Sequence, residues 1–266
     1  MDLRVAELLR ERGLAGTFYF PFRGHHGRPT LTPGHLISLA SEGFEVGGHS
    51  LSHKVLPRLP GEEMAREVGM CKKRLEDILG KQVRMFCYPK GRFNACAVSH
   101  VKLAGYTGAR TTRMLRQELN FDPFHMPTSL VAYPNRRSTY AKNLVKARNI
   151  RGLFDYVTRF TRLESWVSMA KMLFDQVLKG GGVWHLFGHS WQVEEMGLWD
   201  DLKKILDYVC DREGVRYVTN ADVLGFLPPS SLRGSGGVPP RREADPRSPA
   251  FAEDTFRVND SAFDRE

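Results

Sequence analysis

The sequence predicts an α/β protein with a mainly parallel sheet, and three observations carry that prediction. Short β-rich runs alternate with amphipathic helical patterns along residues 1–227, which is the signature of βα units. The helical patterns open on capping residues and stop at glycines. With 266 residues, 41% of them hydrophobic, the chain is large enough for one substantial core. Seven strand candidates follow. Periodicity does not choose between a (β/α) barrel and an open doubly wound sheet.

The elements read in order. Leu3–Arg12 places Val5, Leu8 and Leu9 on one helical face and ends at Gly13. Gly16–Phe20 is a β-branched and aromatic strand. Thr32 and Pro33 form an N-cap and N1 pair for a helix with Leu36, Ile37 and Ala40 inward. Phe44–His49 is the next strand. Pro60–Leu79 is a long amphipathic helix with Met64, Val68, Cys71, Leu75 and Leu79 on its stripe, stopped by Gly80. Strands at Val83–Tyr88 and Tyr106–Thr111 flank a helix that Asn94 caps and Gly105 ends. A weaker strand spans Phe124–Leu130. Leu163–Leu178 is helical through Trp166, Ala170, Leu173 and Val177, and Val183–Phe187 reads as a buried strand. A helix over Leu198–Cys210, a last strand over Val215–Thr219 and a short helix capped by Asn220 complete the folded part.

Composition narrows the function classes. No apolar run approaches the roughly 20 residues of a transmembrane helix, and Met1–Val5 lacks the pattern of a signal peptide. A cytoplasmic location is the resulting expectation. The four cysteines form no CxxC and no Cys-His cluster at zinc-finger spacing, so reduced thiols are expected rather than a disulfide framework. Residues 228–266 hold six of the 15 prolines and a Gly-Ser-Gly-Gly stretch, which predicts a disordered tail behind a domain over 1–227. The tail's net charge is −1, so of the overall +9 the domain carries +10. Much of it lies in Arg136–Arg162, with eight Lys or Arg against Asp155. Interleaved Tyr140, Phe154, Tyr156 and Phe160 raise nucleic-acid contact as an option. No accompanying nucleic-acid motif supports it, and a solvated helix face is preferred, with a groove wall attracting an acidic glycan or nucleotide-linked sugar as the intermediate reading.

Three segments could carry chemistry. In Gly47-Gly48-His49-Ser50-Leu51-Ser52-His53, two histidines at i and i+4 follow a β-rich run. At the C-terminal end of a parallel strand such a pair can share a divalent ion, zinc by preference. The two glycines give the backbone room to turn. On spacing alone a surface pair opening a loop is equally good. In Trp184-His185-Leu186-Phe187-Gly188-His189-Ser190-Trp191, alternate residues share a face. His189 at the strand end suits proton transfer, whereas His185 reads as a core histidine. Cys87-Tyr88-Pro89-Lys90-Gly91-Arg92 is a third strand end, otherwise a plain turn.

Taken together, Gly16–Phe20, His49–His53, Tyr88–Gly91 and Phe187–Trp191 occur in the order and approximate spacing of polysaccharide deacetylases of the NodB-homology, carbohydrate-esterase type, which residues 1–227 resemble. The resemblance implies a distorted (β/α) barrel of about seven strands that hydrolyses an acetylated sugar or small molecule at a non-peptide carbon–nitrogen or ester bond. It implies His49 and His53 as ligands of one divalent metal, zinc in first place, and His189 as general acid. Tyr88, Pro89, Gly91, Phe187 and Trp191 would contact substrate. A catalytically silent carbohydrate-binding barrel is the alternative, and oligomeric state is left open.

Three departures qualify it. The family's first-strand Asp-Asp pair, which supplies the base and a third ligand, has no match, and its place falls upstream of Met1. The expectation is a missing first strand, two exposed sheet edges and activity lowered by about 10²- to 10⁴-fold. Cys87 stands where the family carries Arg, with Arg84, Arg92 or Arg110 as possible sources of charge. Phe187 replaces the usual Leu two residues before the last His and would narrow an acyl pocket.

Overall fold

The structure, a computed structural model, describes residues 1–24, 27–28, 30–135, 137–146, 154, 156–158 and 165–232. Strands β1 (Thr17–Phe20), β2 (Glu45–Gly48), β3 (Met85–Cys87) and β4 (Gly108–Arg110) form a parallel sheet in chain order. Strands β5 (Leu130–Val131) and β6 (Leu186–Phe187) form a second parallel pair. The two arcs are joined by a parallel bridge between Arg110 and Met126. Main-chain bonds from Thr128 to Arg113 and from Leu115 to Ser129 extend that alignment to β5. All six strands therefore run one way, and their C-terminal ends share one rim, as in a (β/α) barrel.

Helices cover the outside. They are α1 (Asp2–Arg10), α2 (Pro33–Ser41), α3 (Gly61–Leu79), α4 (Ala95–Leu103), α5 (Arg137–Lys146), α6 (Trp166–Gly180), α7 (Ser190–Glu195), α8 (Trp199–Val209), α9 (Asn220–Val223) and α10 (Pro229–Leu232), the last a helical turn inside the segment expected to be a disordered tail, where Ser231 Oγ donates to Asn120 Oδ1. Phe20, Val46, Phe86 and Ala109 project from the first arc into a core with Leu36, Leu39, Val68, Leu75 and Val101. Leu130 and Val131 join a second core with Leu8, Leu144, Ala170, Leu173 and Ile205. Each buried Val, Leu, Ile or Phe among them contributes about 1.5–3 kcal/mol. α1 packs on α7 and α8, where Arg12 pairs with Asp207 at 2.6 Å and Arg4 lies over Trp199. No ladder joins β6 to β1 among the described residues.

Several expectations change. The inward pair of α2 is Leu36 and Leu39; Ile37 is 50% exposed, because the short helix buries a narrower stripe than the sequence suggested. The segment Val215–Thr219 forms no strand, so six strands replace seven among the described residues. It meets β1 through a side chain, with Asn220 N–H donating to Thr17 Oγ1, rather than through a ladder. Thr219, not Asn220, caps α9, in a reciprocal capping box with Asp222. β6 is half-buried rather than buried, and among the described residues its ladder is on β5 alone. Tyr140 and Tyr156 are buried and lie 5.5 Å apart, so neither offers a face to a nucleic acid. Phe154 is exposed; Arg136, Arg148, Arg151, Asp155, Phe160 and Arg162 lie outside the described residues, as do Leu163 and the tail from 233 onward.

Candidate active site

His49, Tyr88, Thr111, Ala132 and Gly188 each directly follow a strand at the shared rim. The loop His49–His53 is built by its surroundings rather than by its glycines. A Cβ on Gly47 would come within 2.6 Å of the Tyr19 ring, and one on Gly48 within 2.2 Å of Tyr106 Oη. The glycine pair therefore admits two tyrosines on opposite faces of β2, and the turn itself falls on left-handed Ser50 (φ 63) and His53 (φ 57). Such positions are strained for residues with a Cβ and cluster at functional sites.

Glu67 of α3, a buried carboxylate on a stripe that also buries Met64, Val68, Cys71, Lys72 and Leu75, holds the loop. It accepts from Ser52 N–H at 2.9 Å and from Ser52 Oγ at 2.5 Å, and its carbonyl accepts from Leu51 N–H. His49 Nδ1 lies 2.7 Å from the Cys87 carbonyl oxygen. A carbonyl only accepts, so Nδ1 carries the proton and Nε2 presents a lone pair, the form a metal-binding histidine takes. The His49 and His53 rings stand 4.8 Å apart, edge to face. Donor type and tautomer thus suit a divalent ion. The number of donors is two, and among the described residues no group of three His, Cys, Asp or Glu could hold a metal; zinc sites use three or four protein ligands.

The neighbouring wall is tightly fixed. Tyr88 is fully buried and its hydroxyl donates to the Phe124 carbonyl, so at the rim it offers main chain rather than its ring. Pro89 is buried, while Gly91 is half-buried with φ 63; a Cβ there would stand 2.1 Å from Thr112 Oγ1. Burial pushes the Cys87 thiol up to about 12, against the nearby positive charge of Arg110. Arg110 is the source of charge beside Cys87. Its guanidinium donates to the Pro127 carbonyl and to Asn220 Oδ1, and burial lowers it to about 10. Arg84 is committed elsewhere, to Asp222.

On the second arc, Gly188 is required because a Cβ would stand 2.8 Å from that of Ala132. His189 then begins α7 as its N-cap. Its Nδ1 lies 2.7 Å from Gln192 Oε1. The imidazole stands between Phe187, edge-on at 5.1 Å, and Trp191 at 5.6 Å. Burial holds His189 below the ordinary histidine range, opposed by Gln192 and by the charge of Asp2. His185 lies 2.9 Å from Thr128 Oγ1, and burial together with the charge of Arg110 holds it well below the ordinary histidine range. The arcs meet at the rim through Arg28, which pairs with Glu195 at 2.6 Å and lies 4.2 Å over Trp191. Trp191 is therefore covered on one side.

Glu67, Gln192 and Arg110 were not singled out as positioning groups from sequence. Glu67 was detectable as a carboxylate three residues after Met64 on a buried stripe, and Gln192 as an amide at i+3 from a strand-end histidine.

Residues 2–109 match the family model for polysaccharide deacetylase. This chain resembles the polysaccharide deacetylases. A Bacillus subtilis (strain 168) protein, YxkH, that carries a polysaccharide deacetylase name is 23% identical over 105 residues, 40% of this chain and 38% of that protein. The match thus spans well under half the length of that relative. A Mycobacterium smegmatis crystal structure assigned by name to the polysaccharide deacetylases aligns with TM-score 0.60 and 18% identity, covering 92% of this chain and 81% of that one. The Xyl-CE4 domain of a multidomain xylanase from the hindgut metagenome of Trinervitermes trinervoides aligns with TM-score 0.50 and 12% identity, covering 84% and 82%. At these identities the structural likenesses establish the polysaccharide deacetylase fold.

Proposed function

We propose that this chain is a hydrolase that removes the acetyl group from an N-acetylated sugar or polysaccharide. The observation that carries the reading is the arrangement of one rim: a His49–His53 pair at the end of β2, with the His49 tautomer set by Cys87, and a half-buried His189 at the end of β6. A divalent ion, zinc by donor type, would be held through His49 and His53, and when bound it supplies Lewis acidity to the acyl oxygen. His189 handles the proton. Phe187 and Trp191 flank it and bound the space for the acyl group. The main chain at Tyr88, with Pro89 and Gly91, forms the facing wall, kept rigid by burial and by the close approach of Thr112.

The silent carbohydrate-binding barrel is the second reading, favoured by the donor count of two among the described residues. Acetate release from an N-acetylglucosamine oligomer, measured with metal content, separates them. The first reading predicts acetate release and bound zinc, both lost in His49→Ala/His53→Ala. Oligomer binding without acetate release identifies the second.

A further inference from the structure

We propose that the acetylated saccharide taken by this rim is anionic, and that Arg23 and Lys54, beside the His49–His53 loop, hold its carboxylate or phosphate group. This names a substrate class for the deacetylase site and rests on that reading.

The distribution of charge over the two ends of the first arc carries it. At the rim, residues 21–32, 49–60 and 88–94 connect β1 to α2, β2 to α3 and β3 to α4. Together they hold Arg23, Arg28, Lys54, Arg58, Lys90 and Arg92, and not one Asp or Glu. At the opposite end, the connections into β1, β2 and β3 mix the signs: Glu11 with Arg12, then Glu42, then Lys81 and Arg84. There Lys81 and Arg84 share a cleft with Glu45 and Asp222, and Arg84 pairs with Asp222. A rim built from connections of one sign draws ligands of the other. These six cations lie outside the basic run Arg136–Arg162, and the strand order assembles them around the histidine pair.

Arg23 brings that charge onto the histidine loop itself. Its N–H donates to the carbonyl of Leu51, a residue between His49 and His53, at 2.9 Å. Its side chain is exposed and close enough for its charge to oppose that of Lys54, the residue after His53. Lys54 Nζ pairs with Glu63 at 2.6 Å, but both side chains stand in solvent, where such a pair is worth little and a ligand can compete for it. Glu67, which also acts on Lys54, is spent on Ser52. Arg28 is committed to Glu195 and Arg92 is buried, so neither is assigned a contact. A guanidinium takes a carboxylate or a phosphate through two parallel N–H···O bonds, and the ammonium beside it adds a point charge. A saccharide with hydroxyls alone offers no charge to either.

The test gives the whole chain, with zinc added, three oligomers of one length: N-acetylglucosamine itself, the same oligomer with its primary hydroxyls oxidised to carboxylates, and the same with them phosphorylated. Equilibrium binding and acetate release are measured at low ionic strength and at about 0.3 M salt, where exposed charges are screened. At low salt an anionic oligomer is expected to bind about 3- to 10-fold more tightly than the neutral one, and the gap is expected to close at high salt. The oligomer that gains identifies the group as carboxylate or phosphate. Arg23→Gln/Lys54→Gln is expected to bring the ratio close to one, whereas Lys81→Gln, at the opposite end, is expected to keep it. Equal binding of all three oligomers overturns the proposal, as does a gap that salt leaves unchanged or that Lys81→Gln narrows as much as the double variant. Acetate release from all three without preference keeps the deacetylase reading and overturns this one. Preferential, salt-sensitive binding of an anionic oligomer without acetate release keeps the anion site and overturns the deacetylase reading.

Discussion

The two arcs of the rim are built differently, and each supplies one kind of functional group. The arc β1–β4 has a ladder in which β1 and β2 pair over four residues, and its outward side chains lie in the core. The arc β5–β6 pairs over two residues, with β6 half-buried. It is steadied instead by side chains bonding main chain: Trp184 Nε1 to Ala170, and Ser129 and Thr128 to the Val183 and His185 carbonyls. The tighter arc carries the histidine pair, which the proposed function makes metal ligands that tolerate little movement. The looser one carries His189, where under the same proposal a substrate enters and leaves. Groups that move belong to regions of lower local stability.

Four changes probe that contrast. Phe86→Ala, at a fully buried position beneath the His49–His53 loop, is expected to cost about 3–5 kcal/mol; Leu186→Ala in half-buried β6 should cost clearly less, both read by urea denaturation. Glu67→Gln weakens the charge-assisted bonds that hold Ser52 and should cost about 1.5–3 kcal/mol. Metal analysis and urea unfolding should register it together. On the second arc, Gly188→Ala forces Ala132 aside and should cost about 1–3 kcal/mol, with a drop in kcat but unchanged metal content.

The smallest effect is pH-dependent. His185 and His189 have folded midpoints below the ordinary histidine value, so between those midpoints and about 6.5 the unfolded chain binds more protons. Their contribution is fully present above about pH 6.5 and declines as pH falls through that value toward the folded midpoints. Both residues lie on the second arc, so hydrogen exchange near β6 should quicken before exchange at β1–β4. Glu45, raised by burial, acts in the opposite sense at lower pH.

The helices were largely legible in the sequence because their signals are local. Thr32-Pro33, Asn94 and Gly80 cap or stop the elements they were expected to. The strand ends at His49, Tyr88 and His189 were equally readable, since glycine and proline mark them. What remained hidden depends on contacts across the chain. Asn220 looked like a cap but spends its side chain on Arg110 and Tyr19, some 110 and 201 residues away in sequence. Val215–Thr219 has strand composition, yet forms no ladder with β1 or β6 among the described residues. Gly47 and Gly48 suggested a turn, whereas the demand on them comes from Tyr19 and Tyr106.

The central claim is that the two arcs act on one acyl group. Residues that act as a unit are non-additive. Acetate release from an N-acetylglucosamine oligomer, compared among wild type, His49→Ala/His53→Ala, His189→Gln and the triple variant, tests this directly. The account predicts that each set alone lowers kcat by about 10²-fold or more and that the triple variant is little worse than either. Losses that multiply independently, or a His189→Gln variant that keeps full activity, would contradict it.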